Sequence, residues 1–372
     1  MAKKRTTSKF SLCKRLLAAA MVLAMTLTVF LSGATALAAS DMNSNVIEFD
    51  KYLILKDDAN VPKVTFGFTI SHGEAQNATA TSPRIEAGIG SPVISSAVFT
   101  PSDTPITTAV QGITLGQNEQ YVKKTVSIDF SNVAFTAPGI YRYIVTEAAS
   151  SVNGITNDAN ASRILDVYVI YDTSASSTPS LKIAGSVMYK ETESDTLEKS
   201  RMFVNTYSTN NVTLKKEVTG NQGDRNKDFT FTVTIQGNPG NVYSVLQGSN
   251  TVDLTVNQSG TASGTFNLKH DGSIVIQGLA TGDTFAIEEN DYSNESYNTS
   301  YKLNGATTAT TGRSLSATTM GDGAQSVVFI NNREGSVPTG ILMEFEPYLI
   351  LGAVVMASFL LLYVPGKIRR SR

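Results

Sequence analysis

Two sets of residues in this chain combine types and spacing that could do chemistry. The run VIEFDKYLIL places Ile47, Phe49, Lys51, Leu53 and Leu55 on alternate positions, and VTLKKEV does the same with Val212, Leu214, Lys216 and Val218. Successive side chains of a strand point to opposite faces, so each pattern sets a lysine in the middle of an apolar face. Later in each half a glutamate is carried in the same way: Tyr141, Tyr143, Val145 and Glu147, then Phe285, Ile287 and Glu289. Each half closes on a strand whose apolar face ends in asparagine, with Phe203 and Asn205 in one and Val327, Phe329 and Asn331 in the other. Lysine, glutamate and asparagine thus occur in the same order, each on a core face, twice. Lys215, beside Lys216, falls on the opposite face.

A buried charge has to be paired or neutralised. One outcome is a buried lysine–glutamate ion pair with asparagine as a further hydrogen-bond partner. The other is reaction. Desolvation lowers a lysine pKa and raises that of a glutamate, so the pair can stand as neutral amine and protonated acid. A neutral amine is a nucleophile, and the asparagine carbonyl beside it is an electrophile. The acid can polarise that carbonyl and shuttle the proton, so that ammonia leaves and an uncharged amide joins lysine to asparagine. The duplication of the set favours the reaction, as does the lack of other covalent ties.

The elements that position these residues are short strands. Between Asp41 and Asn332 the dominant signal is period-two alternation broken by Gly, Asn, Ser and Pro clusters, which predicts many short strands and an all-β sandwich architecture in two domains. Strands are expected near 46–55, 64–70, 121–130, 140–147, 164–171, 181–189 and 201–206. After a polar link, Ser208 to Asn211, they resume near 212–218, 228–235, 264–268, 273–277, 284–289 and 326–331. The expected domains are 39–207 and 208–335, stacked end to end because the link is short.

The chain ends are processing segments. Lys3, Lys4, Arg5, Lys9, Lys14 and Arg15 precede an apolar stretch, Leu16 to Leu31, and Ala36-Leu37-Ala38 is a small-x-small cleavage site, so 1–38 reads as a signal peptide. The single cysteine, Cys13, leaves with it, and the exported part has no disulfide. At the other end, 336–372 reads SVPTG, a charged spacer, an uncharged run from Tyr348 to Val364, and then Lys367, Arg369, Arg370 and Arg372. That run is just long enough to span a bilayer, and the basic cluster would stay cytoplasmic. The order of motif, span and basic tail resembles a Gram-positive sortase sorting signal, which implies cleavage between Thr339 and Gly340 and transfer of the Thr339 carbonyl to an amine.

The runs VTLKKEVTGNQGDRNKDFTF, FAIEEND and VVFINNREGSVPTG, with YRYIVTE and RMFVN in the first half, resemble the T-antigen-type backbone pilins of Gram-positive bacteria. The resemblance covers nearly the whole chain. It implies two tandem immunoglobulin-like β-sandwich domains, each with a self-formed isopeptide bond, Lys51 to Asn205 assisted by Glu147 and Lys216 to Asn331 assisted by Glu289. It also implies covalent head-to-tail joining of identical subunits by a sortase, from Thr339 to a lysine near the end of the first domain. Lys199 fits that acceptor best and Lys190 is the alternative; no YPKN-type linkage motif is present. The implied setting is the cell surface, with minor or tip pilins and the cell wall as further partners. A monomeric wall-anchored adhesin with the same domains is the rival reading.

Other chemistries are poorly supported. With the two ends removed the chain loses basic residues far more than acidic ones, and an acidic surface without a basic stripe or aromatic ladder is a poor nucleic-acid binder. His72 and His270 lack ligand-spaced companions, and Asp224, Asn226 and Asp228 begin a calcium-like loop that fails at Phe229 and Ile235. No metal, cofactor or hydrolytic constellation is expected, and the chain reads as a structural protein, not an enzyme.

Overall fold

The computed structural model describes residues 45–172, 180–191, 197–335 and 350–358. The expected signal peptide and the motif at Thr339 and Gly340 lie outside these residues. Among the described residues no helix is long and apolar enough to cross a membrane, although 350–358 is helical.

Two β-sandwiches follow one another, each with its own apolar core. In the first, one sheet runs Val93–Ile94, Glu119–Asp129, Val46–Lys56, Met202–Tyr207, Ile155–Thr156. The facing sheet runs Leu197–Lys199, Ser180–Glu191, Ser162–Asp172, Gly139–Glu147, Phe68–His72, with Glu86–Ala87 also against Gly139–Glu147. In the second, Thr209–Thr219 and Gln325–Asn332 lie side by side at the centre of a seven-stranded sheet. Four strands face it: Thr261–Leu268, Phe229–Gln236, Thr284–Glu289 and Ser314–Thr319.

One arrangement is common to both sandwiches. The opening strand lies parallel to the closing strand in the same sheet. The glutamate-bearing strand belongs to the other sheet. Alternation therefore sends lysine and asparagine into the core from one side and glutamate from the other.

The alternation is modified on the opening strand of the first domain. Its outer face carries Tyr52 and Ile54, which are also buried, packed with Tyr121 and against Val110, Ile113, Leu115, Met202 and Val204. Loop residues cover a face that simple alternation leaves to solvent.

Several strands go beyond those expected. Val242–Gln247, Asn250–Thr255, Asn298–Leu303 and Ser314–Thr319 complete the second sandwich. Asn250–Thr255 buries only Leu254, so it has almost no apolar face to reveal it.

The polar stretch Ser208 to Asn211 is not a free link. Thr209 opens the next strand, is 1% exposed, and pairs with Ala280. Its polar neighbours hold the junction: Lys56 Nζ donates to Thr209 O at 2.7 Å, and Asn211 Nδ2 donates to Asp58 Oδ2 at 2.7 Å. Asn60 Nδ2 reaches Val242 O at 3.1 Å, and Asn153 Nδ2 reaches the buried Asp283 carboxylate at 3.1 Å. The backbones approach closely here. A Cβ on Gly154 would sit 2.7 Å from Ser208 O, and its φ of +76° also favours glycine. The two sandwiches are thus stacked end to end through a polar seam.

Candidate functional site

Strand pairing fixes the first relationship. Lys51 is opposite Phe203 and Leu53 is opposite Asn205, so the asparagine lies two residues past the lysine's partner. In the second domain Lys216 is opposite Phe329 and Val218 opposite Asn331, the same offset. Residues two apart share a face, so lysine and asparagine are diagonal neighbours in the core. A lysine stem is long enough to cross that diagonal, whereas an asparagine is short. The register, not a loop, makes the encounter.

The glutamates arrive from the opposite sheet. Lys51 Nζ is 2.7 Å from Glu147 Oε1, and Asn205 Nδ2 donates to the same oxygen at 3.1 Å. Lys216 Nζ is 3.0 Å from Glu289 Oε1, which accepts from Asn331 Nδ2 at 2.9 Å. One carboxyl oxygen thus bridges the amine and the amide nitrogen in each domain. Apart from this carboxyl contact neither amine has a polar partner among the described residues. Lys51 Nζ instead lies 4.5 Å from the centre of the Phe66 ring, and Lys216 Nζ 4.5 Å from that of Phe229.

Burial sets the electrostatics. Lys51, Asn205, Lys216, Glu289 and Asn331 are all 0% exposed, and Glu147 is 5% exposed. Desolvation pushes both lysines down to about 8, against the opposing pull of their glutamates. The same burial raises both carboxyls, although the adjacent lysines work the other way. Each pair is therefore displaced toward neutral amine and protonated acid. That is the state in which an amine attacks a carbonyl.

One expectation needs correction. The sequence reading has the carboxyl polarising the asparagine carbonyl, but the glutamate oxygen meets the amide nitrogen, which is the leaving group. In the first domain the carbonyl oxygen points the other way because a backbone N–H holds it: Asp158 N donates to Asn205 Oδ1 at 2.8 Å. An N–H at that distance requires oxygen as its acceptor, which fixes the orientation of the amide. In the second domain Asn331 Oδ1 is buried without a hydrogen-bond partner among the described residues.

Two further residues of the first site escape the sequence reading. Asp158 Oδ2 accepts from Val204 N at 2.9 Å and from Arg163 Nη2 at 2.8 Å. Arg163, 3% exposed, lies 4.3 Å from the centre of the Phe203 ring and donates to Met202 O. Its signal is present in the sequence, because Arg163 shares an inward face with Leu165, Val167 and Val169.

The expected acceptor lysines lie on the edge of the six-stranded sheet. In the pairing of Ser180–Glu191 with Leu197–Lys199, Lys199 is opposite Tyr189 and Lys190 opposite Glu198. Lys190 lies on the side of the buried Met188, and its amine is 3.1 Å from Glu198 Oε2. Lys199 is on the other side and exposed. Lys215 is at the surface in an ion pair with Asp271 at 2.8 Å. His72 contacts Gly90 O, and His270 Nδ1 accepts from Val218 N. Among the described residues no acidic, histidine and cysteine group has the makings of a metal site.

Comparison with known proteins gives these sites a context. Residues 47–208 match the family FctA, described as a Spy0128-like isopeptide containing domain, and residues 210–333 match a domain of unknown function, DUF7601. A Streptococcus pyogenes serotype M1 protein named pilin is 30% identical over 250 residues, which is 64% of this chain and 70% of that protein. A pilus tip adhesin, Cpa, from the same species is 31% identical over 136 residues, 37% of this chain and 18% of the adhesin. A crystal structure of the major pilin from Streptococcus pyogenes superposes with a TM-score of 0.57 at 26% identity, covering 79% of this chain and all of that one. The chain belongs to the pilin family of Gram-positive bacteria.

Proposed function

We propose that the chain is the backbone subunit of a covalent cell-surface pilus, exported, cut and joined by a sortase, and braced by two self-formed amides. The bonds join Lys51 to Asn205 and Lys216 to Asn331, with Glu147 and Glu289 moving the proton, in domains spanning 39–207 and 208–335. The observation that carries this reading is the repeated meeting of lysine and asparagine on one buried carboxyl oxygen. The chain spans 70% of the pilin but 18% of the tip adhesin, which favours a shaft subunit over a monomeric adhesin.

The geometry of assembly supports a head-to-tail polymer. The last strand, Gln325–Asn332, starts beside the junction and runs with Thr209–Thr219 toward the far end of the second domain. That strand therefore ends at the pole opposite the first domain, and only a few residues separate Asn332 from Thr339 in sequence. An acceptor on the first domain then gives a heterologous contact, which repeats into an open filament. Lys199 is the proposed acceptor because it is exposed on the outer side of its sheet edge, whereas Lys190 is half-buried beside Glu198. The exposed Ile350, Leu351, Val354, Val355 and Met356 in the helical stretch 350–358 support an apolar span that holds the precursor in the membrane.

The test is the polymer itself. Wall extracts should give a high-mass ladder, and digestion should yield a branched peptide carrying Thr339 on Lys199. A single monomeric band would overturn the shaft reading, and a branch at Lys190 would move the acceptor while leaving the polymer intact.

A further inference from the structure

Asp158 differs from the other residues around the two cross-linking sites: it touches a reacting atom through its backbone. It lies in the polar turn between Ile155–Thr156 and Ser162–Asp172. Its N–H donates to Asn205 Oδ1 at 2.8 Å, so one carbonyl oxygen has a donor in place before any reaction. The side chain of the same residue anchors that N–H. Oδ2 accepts from Val204 N, the residue before Asn205, and from Arg163, while Oδ1 accepts from Asn160 N. Arg163 ties the turn to the same strand through Met202 O at 2.9 Å. Asp158 thus grips the strand that carries Asn205 and aims its own amide at the carbonyl.

We infer that Asp158 belongs to the cross-linking machinery of the first domain, its backbone N–H stabilising the oxyanion that forms on Asn205 and its carboxylate holding that N–H in position. The inference rests on the reading that Lys51 and Asn205 are joined. In that reaction a bond forms between Lys51 Nζ and Asn205 Cγ, and the carbonyl electron pair moves onto Oδ1. The N–H of Asp158 faces the charge there. As the pair returns, the bond from Cγ to Nδ2 breaks. A proton from Nζ passes through Glu147 Oε1 to Nδ2, which leaves as ammonia. Glu147 serves the nitrogen side of the amide and Asp158 the oxygen side. A donor already aimed at a developing oxyanion needs no reorganisation during the reaction, and loss of one such donor slows acyl transfer by ~10²–10³-fold.

A role through charge alone makes the opposite prediction. The Asp158 carboxylate favours the protonated form of Lys51. If that were its main effect, removing the charge would speed the attack. Asp158→Asn separates the two, because it removes the charge and keeps both the backbone N–H and an acceptor for Val204.

The experiment is cell-free synthesis of the full chain, quenched in denaturant at intervals and digested, with both branched peptides followed by mass spectrometry. The Lys216–Asn331 bond in the same molecules is the internal clock. Asp158→Ala frees the turn without deleting the N–H, so we expect the Lys51–Asn205 bond to form at least roughly 10-fold more slowly while the second bond keeps its rate. Asp158→Asn should not slow it, and Arg163→Gln should slow it less than Asp158→Ala. Protease protection of Asp158→Ala in a Lys51→Ala background shows whether the first domain still folds; if it does not, the Arg163→Gln rate decides. Wild-type rates in every variant that folds, or equal slowing by Asp158→Asn and Asp158→Ala, would overturn the inference. Wild-type chain that yields no Lys51–Asn205 peptide at any time would overturn the cross-link reading itself.

Discussion

The two domains build the same site from different surroundings. Both set lysine opposite phenylalanine with asparagine two residues on, both place one carboxyl oxygen between amine and amide, and both lay a phenylalanine ring 4.5 Å from the amine. Around this common centre they diverge. The first has a polar rim of Asp158 and Arg163 that holds the carbonyl oxygen and the asparagine strand. The second has no such rim: Glu289 is 0% exposed, and both Asn331 Oδ1 and Glu289 Oε2 are buried without hydrogen-bond partners among the described residues. The shared features come from strand register and sheet packing, so any sandwich with parallel first and last strands could acquire them. The differing features come from one turn, and they bear on rate more than on whether the partners meet.

The strongest way to break the comparison is to remove one proton carrier at a time. Glu147→Ala should abolish the Lys51–Asn205 bond and leave the other intact, and Glu289→Ala should do the reverse. General acid–base catalysis is worth ~10²–10⁴-fold, enough to turn a bond formed on folding into one absent from purified protein. Peptide mapping reads this directly; loss of both bonds in either variant would mean that the sites are not independent.

Acidity probes what the two sites share. The amine must be neutral to attack, and burial brings both lysines down to about 8. Bond formation during cell-free synthesis should therefore quicken as pH rises and level off above about 8 in both domains. Rates independent of pH from 6 to 9 would show that the amine is not the group that titrates.

Stability sharpens the contrast next. Asn205→Ala and Asn331→Ala would each remove a proposed tie between first and last strands, one that would restrain the unfolded chain much as a disulfide does. A cost of about 2–4 kcal/mol is expected for each, or a Tm lower by roughly 10 °C in the affected domain. Calorimetry should show one transition moving in each variant. Unchanged melting in both would contradict a stabilising role for the bonds.

The smallest effect belongs to the seam between the domains. Asn211→Ala removes hydrogen bonds to Asp58 and from Gly278 N, each worth about 1 kcal/mol net. The two melting transitions should separate slightly, with both cross-links retained. Loss of either bond would show that the junction governs the sites as well.

The sequence reveals these sites because a charge on an apolar face stands out against alternation. Lys51 sits between Phe49 and Leu53, Lys216 between Leu214 and Val218, and the glutamates and asparagines close similar faces. Arg163 carries the same mark beside Leu165 and Val167 and is legible in hindsight. Asp158 carries none, since its contribution to the reacting carbonyl is a backbone N–H presented by a polar turn, and no side-chain pattern encodes that. The fold is legible where strands bury one face and obscure where they do not, as in Asn250–Thr255. The residues from Ser208 to Asn211 mislead for a related reason, since polar composition marks an exposed linker and a hydrogen-bonded seam equally well.

The most direct measurement is the intact mass of purified chain trimmed to its exported part, followed by mapping of its branched peptides. The account predicts a mass lower than that of the sequence by two ammonia molecules, with one branch joining Lys51 to Asn205 and the other Lys216 to Asn331. A mass equal to that of the sequence, with all four residues recovered in linear peptides, would contradict it.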